Sequence, residues 1–188
     1  MNKLKKITLL CILIVAGGIT GNAQVDEPAE VSKTRALIKP GFYNRTSLGL
    51  LGGSDASFSF NTINGYQFGN RISAGIGMGF ENFFGTGYVP VFVEGSYHFL
   101  PTQTGPWVSL MTGYAVPTEQ MGSNRGGFTA GGKLGFDFSI NEHVSIMTAL
   151  GYRYAHIQSN VPWNPWDSFF MVSDINRFDF RFGLIFRQ

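Results

Sequence analysis

Cysteine is almost missing from this chain, with one residue in 188, at position 11. That excludes a disulfide scaffold and any metal site built from several cysteines. Charge is scarce as well. Asp, Glu, Lys and Arg make up 14% of the residues, about half the ~25% usual in soluble domains. The formal charge of +2 excludes a strongly basic nucleic-acid binder. Beyond the N-terminus no apolar run approaches the ~18 residues of a membrane-crossing helix. What the chain does have is glycine, 25 residues, and aromatics, at 15%. So much Phe, Tyr and Leu can bury a core, which excludes disorder. The length allows one domain with a short tail.

The first residues read as an export signal. Lys3, Lys5 and Lys6 precede an apolar run from Ile7 to Ile19, and Gly21-Asn22-Ala23 supplies small residues for cleavage. The run is too short to cross a bilayer as a helix, which takes about 20 residues. Cys11 lies inside the run and not at the cleavage point, which argues against a lipid anchor. Residues 1–23 are therefore expected to be a signal peptide that is removed. The three lysines leave with it, and 11 basic residues then face 12 acidic ones. Residues 24–40 are mostly polar, lack aromatics, and are expected to form a flexible periplasmic lead-in. Residues 41–188 are expected to form one domain.

That domain alternates. Phe178, Phe180, Phe182, Leu184 and Phe186 share one parity, and Arg177, Asp179, Arg181, Gly183, Ile185 and Arg187 share the other. A period of two puts each set on one face of a strand. The same pattern recurs in 41–52, 56–68, 71–81, 88–99, 106–116, 128–140 and 143–157, so eight strands are expected. They run 11 to 15 residues, against about 5–6 in soluble proteins. Threaded up and down, Phe42, Tyr66, Phe68, Tyr97, Phe99, Phe136, Phe138 and Phe186 collect at the lower end of the apolar face. Phe58, Phe80, Tyr114, Phe128, Tyr152, Tyr154 and Phe178 collect at the upper end. Aliphatic residues fill the band between. Two aromatic girdles around an aliphatic belt indicate an outer-membrane barrel, as do short lower turns and a long loop over Gln158–Asn176.

On the residues Ile63-Asn64-Gly65-Tyr66, Gly75-Ile76-Gly77-Met78-Gly79-Phe80, Val89 to Phe99, Leu150-Gly151-Tyr152 and Phe182-Gly183-Leu184, residues 41–188 resemble the small eight-stranded outer-membrane β-barrels of the OmpA/OmpX-like superfamily, in the form common in Bacteroidota. The resemblance implies an all-β, antiparallel, up-and-down transmembrane barrel in the outer membrane. It implies contact with outer-membrane lipid, and with periplasmic chaperones and the barrel-insertion machinery during assembly. The C-terminal stretch Arg181 to Gln188, through Gly183 and Phe186, resembles the assembly signal, with Gln188 standing where a final aromatic is usual. Such barrels serve as anchors, adhesins, defence proteins and a few enzymes, so the fold does not name an activity.

The inner face carries Arg45, Glu94, Lys133, Asp137, Arg153, Asp179 and Arg181, with Gln67. An eight-stranded barrel is just wide enough for side chains to fill, and unpaired buried charge is costly. A network that plugs the lumen is therefore expected, and an ion pathway is the rival. Inner glycines 75, 77 and 79 are expected to make room for Arg or Lys from across the lumen. Gly75-x-Gly77-x-Gly79 is mid-strand with no helix after it, so it is not a phosphate loop. Pro90 is expected to force a bulge or kink. Outer-membrane lipid A deacylases use His-x-Ser with Glu near the outer leaflet. The one His-x-Ser here, His143-Val144-Ser145, lies at the wrong end, and His156 has no matching Ser. No catalytic residue, cofactor or metal site is expected. The fourth loop gathers Trp163, Trp166, Phe169 and Phe170, as a contact surface for an unidentified extracellular partner or as rings folded onto the rim or into lipid. The expected role is structural or surface-interacting, as a monomer without nucleic acid. A narrow channel and a lipid-modifying enzyme are the alternatives.

Overall fold

The structure is a computed structural model. It describes residues 37–53, 56–83, 86–118, 126–164 and 167–188. The expected signal peptide, residues 1–23, lies outside the described residues, as does residues 24–36 of the lead-in. Eight strands are present: β1 Gly41–Gly52, β2 Ser57–Gln67, β3 Ile72–Phe83, β4 Thr86–His98, β5 Gly105–Pro117, β6 Gly126–Ser139, β7 Val144–Asn164 and β8 Asp167–Arg187. Each pairs antiparallel with its neighbour in sequence, and β8 closes onto β1.

The register fixes the shape. A path perpendicular to the strands runs from Gly41 through Gln67, Ser73, Ser96, Ser109, Lys133, Gly151 and Asp179, and returns to β1 at Leu51. The sheet thus closes with a stagger of ten residues, which for eight strands means a tilt of about 40°. Parity then decides which side faces out. Phe42, Leu48, Phe58, Ile76, Leu110, Leu134, Leu150 and Phe178 are all exposed, whereas Arg45, Asn61, Glu94, Asp137 and Arg181 are buried. This is the inverse of a soluble protein: the apolar face is outside, and the charges are inside.

The girdle aromatics touch one another on the outer wall. Phe42 and Tyr66 meet edge to face at 5.1 Å, Tyr66 and Phe68 at 5.3 Å, and Tyr97 and Phe99 at 5.7 Å around the lower end. Tyr152 and Phe178 pair at 5.8 Å near the upper end. Edge-to-face geometry is favoured by the ring quadrupoles.

Three expectations need correction. The long loop over Gln158–Asn176 is instead a continuation of β7 and β8, paired up to Asn164↔Asp167. Its Pro and Asn residues read as loop formers. Among the described residues the pairing of β6 with β7 reaches Gly126↔Gln158, and Pro162 lies beyond it, opposite Ser168 at a register shift between Pro162 and Asn164, an irregularity of the kind that accommodates Pro in a strand. Pro90 causes no bulge either. The β3–β4 register is the same on both sides, and only the pairs facing Pro90 and Val89 drop out of the ladder. The glycines in β3 do not receive Arg or Lys. A Cβ on Gly77 would strike the Phe92 ring, and one on Gly79 would strike Asn61. Lys133 and Arg181 instead lie over Gly151 and Gly49. At the lower end, the last residues of the expected lead-in are held in place. Leu37 bridges to Thr102, and the buried Ile38 donates its N–H to Pro101 O at 2.9 Å.

The ring of Trp107 covers its paired neighbour Gly135, while its Nε1 donates to Asp137 Oδ1 at 2.6 Å. Gly135→Val would displace that ring from a packed lumen, at a cost of about 1–3 kcal/mol. A folded barrel of this kind resists SDS until boiled. The variant is expected to convert from its compact to its unfolded gel mobility at a lower temperature than the parent. An unchanged conversion temperature would count against a packed lumen at this height.

Candidate functional site

Among the described residues, most of the charged side chains face the lumen. In its middle, Glu94 on β4 holds two cations. Its Oε1 lies 2.9 Å from Arg45 Nη1 on β1, and its Oε2 accepts from Lys133 Nζ on β6 at 2.6 Å. All three are buried. Ser96 Oγ accepts from Arg45 Nη2 at 3.3 Å. The Arg45 guanidinium also stands 4.8 Å from the Trp107 ring, within cation–π range. These contacts tie together strands that are not neighbours in the sheet.

Below this layer, Asp137 accepts from Trp107 and from Arg187 Nη2 at 3.1 Å, and His98 Nε2 is 3.5 Å away. Arg187 also donates to Ser145 Oγ at 2.6 Å. Above it, Glu81 on β3 pairs with Arg153 on β7, and Arg181 Nη2 is 3.9 Å from the same carboxylate. Arg181 Nε donates to Asp179 Oδ2 at 2.8 Å. Turned so that its oxygen meets donors, the Asn61 amide accepts from Arg181 Nη1 and Nη2 at 2.8 and 3.1 Å. Arg177 Nη1 donates to Ser57 Oγ and Asn82 O at 2.7 and 2.9 Å.

Apolar side chains fill the space around these groups. Tyr43, Ile63, Phe92, Trp107, Met111, Met147, Ala149 and Ile185 form one buried cluster among them. Tyr88, Ala115, Ala155, Ile157 and Ile175 form a second, on the upper ends of β4, β5, β7 and β8. Apolar side chains thus pack against the charged network in its middle and at its upper end.

The histidines do not assemble a His-x-Ser site. His143 is exposed in the β6–β7 turn, while Ser145 is fully buried and bonded to Arg187. His156, which has no matching Ser, does have an oriented acid. Asp174 Oδ1 lies 2.7 Å from His156 Nδ1 and accepts from Tyr154 Oη at 2.6 Å. The pair is on the outer surface, beyond the Tyr152–Phe178 girdle pair in the β7–β8 register. Sequence could not find it, because the acid lies 18 residues away and only the register of the hairpin brings it opposite. Trp163, Phe169 and Phe170 fall on the paired hairpin strands, but their side chains lie outside the described part, as does Trp166 altogether.

No family model matches the chain, and no curated protein does. Solved structures do. Neisserial surface protein A is similar with a TM-score of 0.59 at 14% identity, over 79% of this chain and 97% of that one. The N-terminal β-barrel domain of Pseudomonas aeruginosa OprF gives 0.59 at 12%, over 80% and 98%. Outer membrane protein OprG from Pseudomonas aeruginosa gives 0.59 at 11%, over 80% and 97%. The fold is that of the small eight-stranded outer-membrane β-barrels.

Within this barrel, Arg45, Glu94, Lys133, Asp137, Arg153, Asp179 and Arg181 all point into the lumen and are buried. Gln67 is buried too, but it staples the β2–β3 turn, donating to Gly69 O and Ile72 O at 2.8 and 3.0 Å. Sequence reasoning missed Glu81, Arg177, Arg187, His98 and Trp107 as members of the network. Their signal was present: each has the inner parity of its strand, but all except Trp107 lie at strand ends or near the turns. Gly183 packs where a Cβ would meet Ser47 and the Thr46 carbonyl, and Phe186 faces outward in the lower girdle.

Glu94→Gln would leave Arg45 and Lys133 buried without their carboxylate. Breaking a buried pair from one side costs about 3–5 kcal/mol. The unfolding free energy of the refolded barrel, measured in urea, is expected to fall by that amount, whereas Glu142→Gln, in an exposed turn, leaves it unchanged. At the outer rim, hydrogen bonds from Tyr154 and then from His156 hold the Asp174 carboxyl below the usual carboxylate range. Tyr154→Phe removes the larger of these, so the Asp174 carboxyl midpoint, followed by NMR, is expected to move up. A midpoint that stays put would rule out this role for Tyr154.

Proposed function

We propose that this protein is an outer-membrane barrel, exported with its signal peptide removed, that works as a closed anchor presenting a projecting β-hairpin at the cell surface. The observation that carries the reading is the contrast between the two ends of β7 and β8. Inside the barrel they wall a lumen filled by side chains. Beyond it they run on, paired among the described residues with each other alone, to Asn164↔Asp167. The strands have 21 residues each, against the ~9–11 that cross a bilayer. The excess length serves contact outside the membrane, and the sequence from Gln158 to Asn176 includes Trp163, Trp166, Phe169 and Phe170, residue types enriched in binding surfaces. The barrel acts as a monomer, with outer-membrane lipid around its girdles. Gly183 and Phe186 belong to the segment read by the insertion machinery after periplasmic chaperones deliver the chain. Its role is structural or interacting and not enzymatic.

A narrow channel is the second reading, favoured by the charged lining. The cross-lumen pairs of Glu94 and Glu81 and the two apolar clusters support the closed reading over it.

Cys11 leaves with the signal peptide, so single cysteines can report topology. In intact cells, Ser168→Cys is expected to react with a membrane-impermeant maleimide, and Glu142→Cys only after the outer membrane is permeabilised. The parent protein is expected to give no conductance steps in planar bilayers. Labelling at residue 142 in intact cells would reverse the orientation, and steady steps from the parent would favour the channel.

A further inference from the structure

A wall that faces lipid has to satisfy its backbone N–H and C=O groups from within the protein. At one place the sheet does this without its ladder. β2 runs up to Ser57, which pairs with Leu51 on β1, and β3 runs up to Phe83, which pairs with Thr86 on β4. Yet β2 and β3 pair with each other only as far as Ser59↔Glu81. Above that pair, among the described residues, the two strands part. Arg177 reaches into the parting from β8. Its Nη1 donates to Ser57 Oγ on one strand at 2.7 Å and to the Asn82 carbonyl on the other at 2.9 Å. A side chain thus takes up a carbonyl that the ladder leaves over.

On the outer side of the parting lies a groove of ≈ 530 Å³, within the ~300–1,000 Å³ usual for small-ligand sites. Its lining is graded by height. Leu48, Phe60 and Phe80 are partners across β1, β2 and β3 and form the lower row. Phe58 stands above them, and Ser57 and Asn82 line the groove where the strands part. The four apolar side chains are exposed on the outer wall. Phe58 and Phe80 belong to the upper girdle, and such girdles mark the level of the lipid head groups. The polar end of the groove therefore lies where a lipid's acyl chain joins its head group, and the apolar end lies where the chain runs. Ser57 Oγ accepts from Arg177 and keeps its own proton to donate, and the Asn82 amide has two more. Such donors suit the ester or amide carbonyl of that junction.

We propose that this groove binds one lipid of the outer leaflet, with an acyl chain along Leu48, Phe60 and Phe80 and its junction carbonyl at Ser57 and Asn82. The lipid covers the stretch of wall where β2 and β3 part. The proposal rests on the outer-membrane placement of the barrel, which it deepens from general lipid contact to a single site. It is independent of any role of the surface hairpin.

The test uses the purified, folded mature protein in detergent micelles, titrated with palmitoyl-oleoyl phosphatidylethanolamine. Native mass spectrometry counts the lipids kept when the micelle is stripped away. One lipid is expected to be retained, saturably. Leu48→Trp fills the groove and is expected to abolish that retention, whereas Leu134→Trp, on the exposed face of β6, leaves it unchanged. Ser57→Ala and Asn82→Ala each remove donors and are expected to weaken the midpoint by about fivefold. If Leu48→Trp fails to fold, the parent titration and the two alanine variants decide the matter. No retained lipid, several lipids without saturation, or retention undiminished in the folded groove variants would each overturn the proposal and leave ordinary lipid contact in its place. Displacement of the phospholipid by palmitate alone would give the groove to a free fatty acid, and a lipid-free dimer would make it an interface between copies; either overturns the proposal. A parent protein without an SDS-resistant form would refute the membrane placement itself, while an SDS-resistant barrel that keeps no lipid refutes only the site.

Discussion

Closure of the sheet is the constraint on which the rest of the molecule depends. An open edge in an apolar medium leaves N–H and C=O groups that nothing can satisfy, at several kcal/mol each. Here the edge vanishes because β8 pairs with β1 from Tyr43↔Arg187 to Gly52↔Phe178. Eight strands and a ten-residue stagger then set a width that side chains alone can fill. Parity does the remainder: once the sheet has closed, every second residue has nowhere to go but inward.

That inward set explains the lumen. Charges in so narrow a space must meet partners on the opposite wall, and Glu94 with Arg45 and Lys133, like Glu81 with Arg153, reaches across it. Glycine supplies the room at chosen points, Gly151 under Lys133, Gly49 under Arg181, and Gly135 under Trp107. Buried pairs of this kind add little net stability over an apolar filling. What they provide is intolerance of error. A register slip of one residue would turn every charge outward into the apolar surroundings and every Phe inward.

The hairpin begins where closure ends. The described pairs with β6 reach Gly126↔Gln158 and those with β1 reach Gly52↔Phe178, and beyond them, among the described residues, β7 and β8 pair with each other alone. A two-stranded ribbon is marginal by itself. This one is an outgrowth of a rigid wall, which fixes its direction and the spacing of its base. The Tyr154–Asp174–His156 contacts lie in this transition, just above the girdle, and clasp the two strands on their outer side.

How much of this was written in the chain follows from the range of each signal. Alternation is local, and it determined the eight strands, their inner and outer faces and the girdles; Phe178 to Phe186 settle their own strand without help. The seven inner charges were legible for the same reason. Partner choice was not, because Glu94 and Lys133 are 39 residues apart and meet only through the stagger of the closed sheet. The acid beside His156, the glycines that receive Lys133 and Arg181, and the parting of β2 from β3 above Ser59↔Glu81 were hidden likewise. The hairpin was misread because Pro162, Asn164 and Pro165 are turn formers in every local sense, and Pro162 is accommodated in the strand beside a register shift that only the pairing with β8 reveals. The sequence by itself thus determined which residues face which way, since a strand's period is two wherever it lies. Tertiary structure alone decided which residues meet, since contact across the lumen depends on the register of all eight strands at once.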